Sequence, residues 1–400
     1  MVYTEVSAKG PAHASSVVRV HDLICTLRVT LQRENYLVRR HEYADGVTRK
    51  MARRSQQAED APASGVGGES VTLIDVARVA GVAPMTVSRA LHRPELVRSD
   101  TQKKVLDAVR ATGYVPNMLA GGLASNRSRL VAILLPTIAN SIFADTVQAL
   151  MDGLTSSGYQ ILLGLTAYST AREEALVEAL LGRRPDGIVL AGTSHTASTV
   201  ERLSKARIPV VEIWDLTDRP IDMVIGFSHE QVGKEVAQHL VQKGYRKFGI
   251  VSVDDPRGLR RCESLKSELA RLGIAEPSFE VLPAPATLQA GREGVSRLLA
   301  ASAPEIVVCS SDTLAQGVLA EAASRGLNVP RDIAVMGFGD LSTAAHVYPA
   351  LSTVRIDGAI IGMKTAQALI GRLSADALRG KTQSEVRIDT GFTIVDRQST

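Results

Sequence analysis

Apolar residues first settle into a regular pattern at Leu73, where they recur every three or four positions, the spacing of one helical face. Leu73, Val76, Ala77 and Ala80 line that face, and Gly81 supplies a turn. Pro84 suits the first turn of a second helix with Val87, Ala90 and Leu91 inward. Ser99-Asp-Thr-Gln102 reads as a capping box heading a third amphipathic helix, with Val105, Leu106 and Val109 on one side. The pattern predicts an all-α helix-turn-helix domain over 71–116. The outer face of its second helix offers Met85, Thr86, Ser88, Arg89 and His92, side chains able to meet base edges and phosphates in a major groove. Double-stranded DNA is the partner this face predicts.

From Arg129 the period changes. Buried-strand patterns at 130–135, 159–165 and 187–191 alternate with helical ones at 141–157 and 171–181, and further strands are predicted at 208–213, 223–225, 248–253, 305–309 and 333–337. Repeated strand-helix units imply parallel sheets covered by helices on both faces. The strands outnumber what one doubly wound sheet holds, so two lobes are expected. Residues 1–70 show no sustained period and pass through Arg39-Arg40, Arg49-Lys50 and Arg53-Arg54 into a Gly/Ser/Ala stretch; a disordered arm and linker is the reading. Such an arm is either inert or an extra phosphate-contacting tail.

Composition narrows the class. With 400 residues, 45% apolar and 22% charged, the chain has material for several buried cores. No stretch has the roughly 18 consecutive apolar residues of a membrane span, and the first residues lack a secretory pattern, so a cytoplasmic protein is expected. Cys25, Cys262 and Cys309 are far apart and lack metal-ligand spacing; neither a disulfide framework nor a metal or cofactor is indicated. Residues 71–128 hold eight Lys/Arg against four Asp/Glu, while 129–400 hold 28 against 30. The positive balance therefore sits in the helical module, as expected if that part alone touches phosphate. No dinucleotide fingerprint, phosphate-loop lysine or nucleophile motif is present in context, which argues against an enzyme.

The ordered run Asp75-Val-Ala, Ala80-Gly-Val, Thr86-Val-Ser-Arg, Tyr114-Val-Pro-Asn and the leucine-bearing linker to Ser125 resembles the LacI/GalR family of transcriptional repressors. The resemblance implies a type I periplasmic-binding-protein-like α/β sensor domain of two doubly wound lobes behind the helix-turn-helix domain. It places lobe 1 at 129–227 and 358–384, lobe 2 at 228–354 and 385–400, and a hinge helix in the linker 117–128. Carried over position by position, base contacts fall on Pro84, Met85 and Arg89, and phosphate contacts on Thr72, Thr86 and Ser88. Asn117, Ala120 and Leu123 take the minor-groove role of the hinge. Pro84 departs from the pattern, since proline has no donor to offer a base. The resemblance also makes Met51 a candidate first residue, because family members start just before the helix-turn-helix.

In the sensor domain the resemblance points to Asn140, Phe143, Asp215, Phe227, Arg261, Ser311 and Asp312 as cleft residues for a small-molecule effector. Within the family the chain is similar to gluconate-utilisation repressors through Leu134-Leu-Pro-Thr, Ser194-His-Thr196, Pro209-Val-Val-Glu212 and Ile221-Asp-Met-Val-Ile-Gly-Phe227. A sugar acid needs a cation for its carboxylate, and Arg261 with His195 is the expected pair. Gly339 and Gly358 depart from sugar-binding members, which often carry an acid and an aromatic there; loss of the acid suits an anionic ligand, and turn geometry is the alternative. The implied state is a homodimer on a pseudo-palindromic operator, because the leucine heptad tail of tetrameric members does not follow Asp396-Arg-Gln-Ser-Thr400. A neutral sugar, a ketogluconate or a phosphorylated sugar acid is the alternative effector, and a transporter's solute receptor the remote alternative function.

Overall fold

The computed structural model describes residues 71–115, 127–138, 141–374 and 386–400. The chain divides into two compact units, with the boundary at residues 116 and 117.

In the first unit, α1 (Leu73–Ala80) and α2 (Pro84–His92) are joined through Gly81, whose φ of +65° is a left-handed conformation open to glycine. A short 3-10 turn leads to α3 (Ser99–Thr112). Val76, Ala77, Val87, Ala90, Val105 and Ala108 form the core. Two expectations change. The capping box lies at the head of α1, where the Thr72 N–H and hydroxyl both donate to Asp75; α3 instead starts at Ser99 without a side-chain cap. Leu106 is 40% exposed. At about 100° per residue, positions 105, 108 and 109 share one face while 106 points a quarter-turn away.

The second unit contains two parallel sheets. The first has the order β11-β5-β4-β3-β1-β2, with β1 Leu130–Leu135, β2 Gln160–Leu165, β3 Gly187–Ala191, β4 Val210–Ile213, β5 Met223–Gly226 and β11 Val386–Asp389. The second has the order β7-β6-β8-β9, with β6 Phe248–Val253, β7 Ser278–Leu282, β8 Ile306–Cys309 and β9 Ala334–Met336. β10 (Thr353–Arg355) and β12 (Thr393–Val395) form an antiparallel pair. Strands β3 to β6 are almost wholly buried, as parallel sheets sandwiched by helices require.

The chain passes between the lobes three times, after β5, between β10 and α11 (Gly358–Leu373), and between β11 and β12. Because β11 runs parallel to β5 in register Val386 to Met223, residues 386–389 belong to lobe 1 and the last crossing follows Asp389, not residue 384. β7, β10, β11 and β12 escape the periodicity reading because they are short edge or linking strands with mixed burial. The lobes share an apolar core across the crossings. Phe143 packs edge-on to Trp214 at 5.1 Å, Trp214 to Phe227 at 5.9 Å, and Phe227 meets Phe338 of lobe 2 at 6.1 Å.

Candidate DNA-reading face and effector cleft

Ala83, in extended conformation, leads into α2, and Pro84 occupies the first helical position, where its missing N–H costs nothing. Burying Val87 and Ala90 turns Pro84, Met85, Arg89 and His92 outward; Thr86 and Ser88 are half-buried beside them. Met85 is 62% exposed on this outer face. Arg78 pairs with Asp75 and Arg110 with Asp107. Among the described residues, Arg89, Arg93, Arg98, Lys103 and Lys104 have no carboxylate partner, so this small unit carries unneutralised cations. Thr72, expected at phosphate, has both donors committed to Asp75. Asn117, Ala120 and Leu123 lie outside the described residues.

In doubly wound sheets a crevice opens at the carboxyl ends of strands where the winding reverses. Those points are β1/β3 in lobe 1 and β6/β8 in lobe 2. The segments that follow them face one another: Ile142-Phe143 and Gly192-Thr193 on one side, Asp255 to Arg261 and Ser310-Ser311 on the other. Asn140 lies outside the described residues.

The lobe 2 side is dominated by α8 (Pro256–Arg271), since the helices of the second unit are numbered α4 Ala144–Ser156, α5 Thr170–Leu181, α6 Ala197–Ala206 and α7 His229–Gln242 before it. Asp255 caps α8 by accepting from the Gly258 N–H, and Pro256 opens it. Positions 257, 260 and 261 fall on one helical face, so three arginines project together. Arg260 Nη1 reaches across the cleft to both oxygens of the buried Asp215, at 3.0 and 2.9 Å. Asp215 also accepts from the Thr193 hydroxyl at 2.8 Å.

Arg261 is held inside lobe 2. One nitrogen donates to the Ser310 carbonyl at 2.7 Å, another to His229 Nδ1 at 2.9 Å, and the guanidinium stacks 3.6 Å from the Phe338 ring centre. Burial lowers its pKa to about 10, still charged at neutral pH. An arginine only donates, so His229 must accept at Nδ1 and give its Nε2 proton to the Trp214 carbonyl at 3.0 Å. Burial and then Arg261 push the His229 pKa well below its ordinary value, consistent with that neutral tautomer. Arg257 makes only long contacts of 3.4 Å to Asp255 and lies over the Phe143 ring at 5.5 Å. A cavity of about 40 Å³ remains between Phe143, Tyr168, Trp214, Arg257, Arg261 and Phe338.

Of the residues expected in the cleft, Phe143, Arg261 and Ser311 line that cavity, while Asp215 is not on its wall and is bound to Arg260. Ser311 is also the cap of α10 (Asp312–Ser324), the second helix after α8, α9 being Leu288–Ala301. Three more of the expected residues lie off the wall of that cavity. Phe227 is fully buried between Trp214, His229 and Phe338, behind the wall rather than on it. Asp312 is buried within lobe 2, accepting from Thr353 at 2.6 Å and the Leu341 N–H at 2.7 Å, and burial raises its pKa to about 6. His195 does not face the cavity. Its Nδ1 lies 2.6 Å from Glu173 and its Nε2 3.3 Å from Glu212. Burial opposes its charge, but the two carboxylates prevail and raise its pKa to about 9, so that charge is already matched.

Gly339 has φ +124°, and a Cβ at Gly358 would come 2.8 Å from the Thr146 hydroxyl that binds Trp214 Nε1. Backbone and packing account for both glycines. Sequence reasoning missed Tyr168, Asp255 and Arg257. Burial, then Asp255, pushes the Tyr168 pKa up to about 12. Asp255-Pro256 directly after a buried strand is a helix-start signal at a strand's carboxyl end, and could have found the last two.

Residues 72–117 match the family of bacterial regulatory proteins, lacI family, and residues 237–400 a periplasmic binding protein-like domain. The HTH-type transcriptional regulator GntR of Pseudomonas aeruginosa is 37% identical over 82% of this chain and 95% of its own. The crystal structure of a LacI family transcriptional regulator from Silicibacter pomeroyi superposes with a TM-score of 0.76 at 31% identity, covering 82% of this chain and 99% of that one. That of transcription regulator GntR from Chromobacterium violaceum gives 0.63 at 32% identity, over 68% and 98%. With a helix-turn-helix unit carrying free cations, a two-lobed sensor and relatives of this similarity along most of its length, the chain belongs to the LacI family and is a transcriptional repressor that binds operator DNA and a small-molecule effector.

Proposed function

We propose that the protein is a homodimeric repressor whose hold on a pseudo-palindromic operator is controlled by a sugar acid such as gluconate. The observation that carries the ligand class is the charge of the cleft. Arg257, Arg260 and Arg261 converge there against Asp215 and Asp255, and His229 is neutral. Arg260 is already shared between Asp215 and Glu230, whereas Arg257 has only its long contacts to Asp255, so Arg257 is the cation open to an anion. Resemblance to the GntR regulators supports the same class.

The cavity as it stands takes only a few waters, so a six-carbon acid needs the lobes to part and the Arg260–Asp215 contact to be exchanged for ligand contacts. A change in lobe spacing is then transmitted to the paired linkers at 117–128, which hold the two DNA units on half-sites about one helical turn apart. At the DNA, Arg89 pairs with a guanine and Met85 packs on a thymine methyl.

Mobility of the protein on operator DNA from its own gene neighbourhood, at fixed salt, tests the reading. Release by millimolar gluconate but not by glucose or ribose is expected; binding indifferent to every sugar acid overturns the ligand class. Arg89→Ala is expected to cost roughly 1 to 3 kcal/mol at one operator position, and an equal loss on all sequences would make Arg89 a phosphate contact instead.

A further inference from the structure

Behind Arg257 the cleft contains a second cavity, of about 60 Å³, that carboxylate recognition leaves without a role. Tyr168, Asp255 and Arg257 line both cavities, so the two are neighbouring compartments with a shared wall. On the lobe 1 side the second compartment is lined by Thr166, Glu173 and Thr193. Glu173 is only 6% exposed. Its Oε1 is engaged by His195, whereas its Oε2 makes no hydrogen bond among the described residues. Thr166 is 7% exposed, and its hydroxyl likewise has no partner among them.

Neither atom is sealed off: both open onto the cavity wall, where a ligand hydroxyl can reach them. The Glu173 carboxylate is also fixed in place. His195 grips it from behind and is itself flanked by Glu212, whose other oxygen accepts from the Ile221 N–H at 2.7 Å.

We propose that this compartment reads the hydroxyl chain of the effector. Glu173 Oε2 and the Thr166 hydroxyl bind its far hydroxyl groups, and Arg257 at the shared wall takes the carboxylate. His195 acts as a positioning residue for Glu173. A carboxylate on the compartment wall accepts hydroxyl protons but repels a phosphoryl group, so the ligand class is an unphosphorylated acid with a long polyol chain. This rests on the sugar-acid reading above.

Trp214, the single tryptophan of the chain, lines the first compartment, so its emission reports occupancy in the full-length protein. Gluconate and glycerate share the acid and its neighbouring hydroxyl but differ in the length of the polyol chain. The wild type is expected to prefer gluconate. Glu173→Gln should weaken gluconate about tenfold or more and leave glycerate unchanged. Thr166→Val, which removes a hydroxyl without a partner and so spares the fold, should do the same to a smaller degree. His195→Gln should follow Glu173→Gln, since it releases that carboxylate.

Equal binding of both acids by the wild type, or variants that weaken both acids equally, overturns the proposal while leaving the sugar-acid reading intact. Tighter binding of 6-phosphogluconate than of gluconate also overturns it. Binding of none of these acids overturns the sugar-acid reading and this one with it.

Discussion

The two walls of the cleft are made of opposite chemistry and are held in place differently. Lobe 1 presents acceptors, Glu173 and Asp215, each secured by neighbours in its own lobe: His195 on the first, Thr193 and the Leu216 N–H on the second. Lobe 2 presents three arginines from one face of one helix, and only Arg261 is satisfied within its lobe. Arg260 is shared between Asp215 on the opposite wall and Glu230 in its own lobe, and Arg257 rests on an aromatic ring across the cleft. Closure is therefore the meeting of a preset acceptor wall with a donor wall left partly unsatisfied. A ligand carrying an acid and several hydroxyls can complete both.

The largest test of this contrast is Arg261→Ala. It strands a buried histidine nitrogen and a buried carbonyl, and should lower stability by about 3 kcal/mol in chemical denaturation. An unchanged midpoint would show Arg261 to be as loosely held as Arg257. Next is pH. His195 has a folded-state pKa of about 9 against an ordinary 6.5, so its contribution is complete below pH 6.5 and drains away as pH rises toward 9. The loss over that window should be roughly 2 kcal/mol after discounting for partial solvent access. His195→Gln should flatten the profile, and a wild-type stability that does not fall in that range would place the charge elsewhere.

The bond across the walls should be weaker. A double-mutant cycle of Arg260→Ala with Asp215→Asn should show about 1 to 2 kcal/mol of coupling, because Arg260 keeps some contact with solvent. Additive losses would mean the walls do not hold each other. Thr193→Val is the smallest change, about 1 kcal/mol, since Asp215 retains its other donors. A larger loss would make the lobe 1 wall depend on that hydroxyl rather than on its backbone donor.

Much of this was legible in the chain. The pair of helices around Gly81 follows from apolar spacing and one left-handed residue, both local properties. β1, β3 and β6 are continuous buried runs, which forecast parallel sheets before any contact was known. Where partners come from far along the chain, local pattern misled. Leu106 lost its core place to Ala108 by a quarter-turn. Residues 386–389 read as part of lobe 2 until β11 proved to be paired with β5, about 160 positions earlier. Phe227 and Asp312 follow from the family resemblance and His195 from its charge, and each is engaged instead by neighbours inside its own lobe or the shared core.

The amino-acid order by itself determined the helix-turn-helix, the strand-helix alternation and the grouping of Arg257, Arg260 and Arg261, because helix period, turn geometry and continuous burial act over a few residues. Tertiary structure alone decided which of those arginines is locked, which bridges the cleft and which is left for a ligand. Their partners, His229, Ser310, Asp215 and Phe143, stand 32 or more positions away and arrive only when two sheets fold and their carboxyl ends meet.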